Sequence, residues 1–100
     1  MIVSSFFPGR IRLRNEVFKD AEIYSALYSA VGNHPAVKKI ERNEITGSVL
    51  LEYIPEKLPV NKLLSLQSEL LALGKLAEFY SAKNKSEILR KIKEIESKLY

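Results

Sequence analysis

Arg10, Arg12 and Arg14 stand at alternate positions with Ile11 and Leu13 between them. Guanidinium groups in such a row can grip carboxylates or phosphates through charge-assisted, often bidentate, hydrogen bonds. In a strand, period two puts the arginines on one sheet face and the apolar pair on the other. They are the candidate anion- or partner-binding residues, and a merely solvated cationic face is the competing reading.

Metal chemistry has few donors to work with. Soft metals need thiolate or imidazole ligands, and the chain has no cysteine, one methionine (Met1) and one histidine (His34). His34 precedes Pro35 and reads as a turn residue. Asp20 and Glu22 are weak candidates for a hard cation, but Asp20 also suits the N-cap of a helix. Tyr24, Tyr28 and Tyr53, with Tyr80, offer a possible pocket for a flat ligand such as haem, with a phenolate or His34 as axial ligand. Against it, tyrosines at helical spacing more often edge a core. No pair of groups suggests acid-base catalysis, and the four glycines are isolated, so no phosphate-cradling loop is expected. The chain is expected not to be an enzyme.

Composition narrows the setting. A hundred residues, 46% hydrophobic and 28% charged, suit one folded domain. The net charge of +4 is compatible with anionic partners but is also an ordinary solubility charge. The opening Met1 to Pro8 lacks the basic stretch and long apolar run of a secretory signal. No run approaches the roughly eighteen apolar residues of a membrane span. A cytoplasmic location is expected.

The elements that must position these residues follow from periodicity. Residues 2–14 read as one strand interrupted at Pro8-Gly9. Asp20 caps a helix whose apolar positions are Ile23, Ala26, Leu27, Ala30 and Val31, ended by Gly32 in a positive-φ conformation. Val37 to Glu41 is a short strand, residues 43–47 a hairpin loop with Gly47 at positive φ, and Ser48 to Tyr53 the clearest strand. Asn61 is the expected cap of a second helix with the stripe Leu63, Leu66, Leu70, Leu73, Ala77 and Tyr80, carried through Gly74. Residues 75–82 have the alternative of forming a fourth strand. Asn84 and Glu87 make a capping pair for a last helix with Ile88, Ile92, Ile95 and Leu99 in phase. The expected fold is α+β, a ferredoxin-like β-α-β-β-α core with an additional C-terminal helix and a doubtful fourth strand. It is a single domain over residues 1–100, with a β-α-β-β part over 1–58 and a helical part over 59–100.

Two blocks resemble a known family. Pro8-Gly9-Arg10-Ile11-Arg12-Leu13-Arg14 and the run from Asn43 through Thr46-Gly47-Ser48-Val49 to Tyr53 and Pro55, with His34 to Ile40 between them, look like the heavy-metal-associated domain superfamily. The likeness covers residues 8–55 and is to a variant branch without the Cys-x-x-Cys metal motif. Where the metal-binding branch carries its cysteines, this chain has Val17 to Ile23. The resemblance implies an accessory role in metal homeostasis near P-type metal transporters, without copper chaperoning.

The function expected is therefore interaction or scaffolding, with direct metal or haem binding as the alternative and nucleic acid an unlikely partner. A three-stranded sheet leaves an edge unpaired, and two further amphipathic helices offer surplus apolar surface. Homo-oligomerisation is expected through Leu63, Leu66, Leu70, Leu73 and Tyr80.

Overall fold

In the computed structural model, which describes residues 2–99, Pro8 and Gly9 turn the chain back on itself. Proline followed by a glycine at φ +84° is what a tight reversal between Phe7 and Arg10 requires. Residues 2–14 are thus a hairpin and not one interrupted strand: β1 (Val3–Phe7) and β2 (Arg10–Arg14) pair antiparallel. Pro8 takes the turn, where its missing donor costs nothing. A bulge between Val3 and Ser5 lets the Ser4 hydroxyl donate to the Arg12 carbonyl at 3.1 Å.

α1 (Ala21–Val31) is capped by Asp20, whose carboxylate accepts from the Glu22 and Ile23 amides at 2.8 and 3.3 Å. Gly32 follows it with φ −67°, so the expected positive φ is absent there. What the glycine provides is room: a Cβ would stand 2.6 Å from the Tyr28 carbonyl oxygen. β3 (Val37–Asn43) runs two residues further than expected, and β4 (Ser48–Tyr53) returns beside it. In the loop between them Asn43 accepts from the Ile45 and Thr46 amides, and Gly47 has φ +73°.

The sheet order is β1-β2-β4-β3, with every neighbouring pair antiparallel. The fourth strand is present, but it comes from the N-terminus. The ferredoxin-like pattern would place its closing strand after the second helix and beside β2. Residues 3–7 reach that edge through a two-residue turn and satisfy its backbone groups.

Residues 75–82 accordingly form no strand. α2 (Val60–Ala77) continues through Gly74, which packs against Ile2, and ends before Tyr80. Its cap is Pro59, whose carbonyl accepts from the Leu63 amide at 3.0 Å, so Asn61 lies inside the first turn and does not cap it. α3 (Lys85–Leu99) begins after a tight turn. There the Asn84 side chain accepts from the Ser81 amide and donates to the Leu76 carbonyl, tying α2 to α3 in place of the expected pairing with Glu87.

All three helices cover one sheet face. Ile11, Leu13, Val49, Leu51 and Tyr53 point inward from β2 and β4 and are buried with Ile23, Leu27, Leu66, Leu70 and Leu73. α1 touches β3, α2 touches β1, and α3 packs against both helices with Ile88, Ile92, Ile95 and Leu99. The third stripe joins the same core: Leu99 lies with Leu66 of α2 and with Leu51 and Tyr53 of β4 around one small cavity. Among the described residues no helix is long and apolar enough to cross a membrane.

Candidate functional site

Among the described residues no helix lies over the opposite sheet face, and the three arginines lie there. β2 alternates exposed Arg10, Arg12 and Arg14 with buried Ile11 and Leu13. Two-residue steps separate successive arginines by about 7 Å. Arg10 is paired in register with Glu52, Arg12 with Leu50 and Arg14 with Ser48. On the outer side Phe7, 63% exposed, lies beside Arg10, and Ser5 lies beside Arg12. β3 adds Lys39 and Glu41, which neutralise one another in a 2.9 Å ion pair. None of the three arginines forms an ion pair with another described residue. Two open hollows adjoin the row: one includes Arg12, Glu41 and Ser48, the other Arg14, Lys19 and Glu78.

The acidic pair is committed elsewhere. Lys85 of α3 places its Nζ 2.9 Å from the Asp20 carboxylate and 2.7 Å from that of Glu22. Tyr80 donates its hydroxyl to Asp20 at 2.8 Å. These contacts, the Lys85 ammonium first, hold the Asp20 carboxyl at a pKa of about 2. The same cluster raises Lys85, through Glu22 first, and raises Tyr80 through its bond to Asp20. An internal ammonium thus occupies the place between the carboxylates that a cation would need. Among the described residues no group of three or more potential ligands gathers to hold a metal. The residues do not fit a soft metal, since thiolates are lacking, and Lys85 already bridges the hard-donor pair.

His34 sits in the turn after α1, and its Nδ1 accepts from the Ala36 amide at 3.0 Å. The three tyrosines do not share a pocket. Tyr24 and Tyr28 stack edge to face at 6.2 Å on the flank of α1. Tyr53 is buried beneath Leu58, Leu66 and Leu99, beside a cavity of about 10 Å³, far too small for haem. Leu66, Leu70 and Leu73 lie in the domain's own core, Leu63 is packed against it, and Tyr80 is turned toward Asp20.

Two charged residues matter that sequence reasoning passed over. Arg42 lies 4.8 Å over the Tyr24 ring, donates to the Phe18 carbonyl at 3.3 Å and pairs with Glu44 at 3.5 Å. Glu69 is buried, 7% exposed, and pairs with Lys91 and, at 2.6 Å, with Lys98. Its signal was present: Glu69 falls in phase with Leu66, Leu70 and Leu73 on the inward face of α2.

Compared with known families, the chain matches the model described as Heavy metal associated domain 2 over residues 1–100, well beyond the 8–55 that carried the resemblance. No curated protein matches it, and no solved structure does.

Proposed function

This chain belongs to the heavy metal associated domain 2 family, and from that premise we propose that it is a non-catalytic docking domain in metal homeostasis. Its partner is an acidic protein surface, in the first instance a cytosolic domain of a P-type metal transporter, as the resemblance implies. The observation that carries this reading is the row Arg10, Arg12 and Arg14, exposed on an uncovered sheet face and unpaired with any described carboxylate. The planar guanidinium fork is pre-organised for carboxylates, so less entropy is lost per hydrogen bond formed than with an ammonium. A row of like charge also speeds encounter with an opposite surface. Family membership is compatible with metal context while the residues offer no thiolate site. The domain would serve the transport machinery by contact, without carrying the metal.

Titration calorimetry with purified cytosolic domains of such a transporter from the same cell tests the proposal. The expected result is salt-sensitive binding, weakened by about tenfold or more in the triple variant Arg10→Glu, Arg12→Glu, Arg14→Glu. Circular dichroism establishes that the variant is folded. A folded triple variant that binds as tightly as the parent would end this reading.

A further inference from the structure

β1 is an edge strand without charge. Among the described residues it pairs only with β2, and its sequence is Val3-Ser4-Ser5-Phe6-Phe7. The opposite edge, β3, carries Lys38, Lys39, Glu41 and Arg42, the kind of charge with which an edge repels a further strand. The Arg14 amide donates to the Ile2 carbonyl, and the Tyr53 amide to the Gly9 carbonyl. These bonds set the alternation in β2: even-numbered residues bond toward β1 and odd-numbered ones toward β4. Ile11 is odd, so its partner Phe6 turns its own N–H and C=O outward to the free edge. The bulge between Val3 and Ser5 bends the start of the strand and leaves Ser5, Phe6 and Phe7 in regular register.

We infer that this edge receives an extended acidic segment of the partner as a fifth strand, an inference that rests on the docking role proposed above. In an antiparallel pair the residue opposite Phe6 exchanges both backbone bonds with it and points its side chain to the core side, as Phe6 does. Its two neighbours then lie opposite Ser5 and Phe7 and point to the outer face, in line with Arg12 and Arg10. The added strand stands two strand spacings from β2, about 10 Å, a span that an arginine and a glutamate close between them. Ser5 is small and leaves the way from Arg12 open.

The core side offers a place for the alternate residues. Ile2, just before β1, and α2 border an open groove of about 280 Å³, lined by Ile2, Leu71, Gly74, Lys75 and Glu78. Leu71 is 46% exposed there. An apolar side chain further along the added strand, toward Ile2, lies against this groove. The segment that fits is therefore one of alternating acidic and apolar residues, each class on its own side of the strand. Charge argues against a second copy in this place. Two β1 edges paired together would bring two arginine rows toward each other, and like charges across a sheet are destabilising. An acidic strand answers the row it meets.

Three capped synthetic peptides test the inference against the whole chain. One alternates glutamate and valine. The second has the same composition with the glutamates in one block. The third is the alternating peptide methylated on its valine amides, which keeps the charge and removes the donors to Phe6. The alternating peptide should bind about tenfold or more tightly than either control. In nitrogen-labelled protein it should slow hydrogen exchange at the Phe6 amide, while Leu71→Glu, at an exposed position, should weaken it. Equal binding of the alternating and block peptides would overturn the inference, as would indifference to methylation, unslowed exchange at Phe6, or no binding of the alternating peptide near millimolar concentration. These failures are distinct from failure of the docking role. A transporter domain whose binding is lost in the triple arginine variant, with Phe6 exchange unchanged, would keep that role and remove the added strand.

Discussion

Asp20 carries four contacts on one carboxylate: two amides of α1, the Tyr80 hydroxyl and the Lys85 ammonium. Its folded pKa of about 2 lies below the ordinary 3.8, so the unfolded chain takes up this proton first as the pH falls. The stability it contributes is complete above about pH 4 and is lost as the pH drops toward 2. Glu69, also held below its ordinary value by Lys91 and Lys98, acts in the same direction. Asp20→Asn retains a capping oxygen but no titration, so its stability should fall less steeply between pH 4 and 2. Urea unfolding at a series of acidic pH values measures this, and parallel curves for the two proteins would contradict it. Gly47 makes a second residue-scale prediction. Its φ is +73°, and a Cβ would collide with the Asn15 carbonyl oxygen. Gly47→Val should cost about 1–3 kcal/mol, seen as a lowered urea midpoint.

At the scale of elements, α3 is held to α2 by apolar contact and by one buried charge. Lys91 and Lys98, both on α3, clamp the Glu69 carboxylate of α2. Breaking a buried pair leaves an uncompensated charge, whereas replacing both partners with apolar side chains of similar size removes the desolvation cost as well. Lys98 remains to share the load and is itself half exposed. Lys91→Ala should therefore destabilise by about 1–3 kcal/mol, while the double variant Glu69→Leu with Lys91→Leu, which replaces both partners, should be neutral or stabilising. Chemical denaturation of the two variants separates these outcomes, and equal losses would mean that the pair contributes net stability. The same helix shows how far local pattern reaches. The Ile88, Ile92, Ile95 and Leu99 stripe is legible from spacing alone and is buried as a unit. That its cover is the rest of this chain's own core, α1 and α2 together with sheet residues such as Tyr53, is not legible, because periodicity identifies a face but not its cover.

At the scale of the whole molecule, the chain belongs to a family described by heavy metals yet offers no thiolate. Its acidic pair is bridged by Lys85, and His34 Nδ1 accepts from a turn amide. Purified protein mixed with Cu(I) or Zn(II) and titrated with a chromogenic chelator should surrender the metal. A stoichiometric complex that survives the chelator would show a site assembled in some other way.

What the sequence determined by itself is what depends on near neighbours. The alternation of Arg10, Arg12 and Arg14 with Ile11 and Leu13 decided which face each side takes, since strand pleat has period two. Asp20 specified a cap, and Gly47 a positive-φ turn, through backbone stereochemistry within a few residues. The tertiary structure alone decided what meets across long stretches of chain. Tyr80 reaches Asp20 over sixty positions. Lys85, from the third helix, fills the acidic pair that the sequence left open to a cation. The edge where a closing strand would return after the second helix is held instead by the N-terminal residues, through the shorter loop. Which of two segments pairs with an edge, and which cation answers a carboxylate, is a competition among distant parts of the chain. It is decided by loop closure and packing, neither of which leaves a periodic trace.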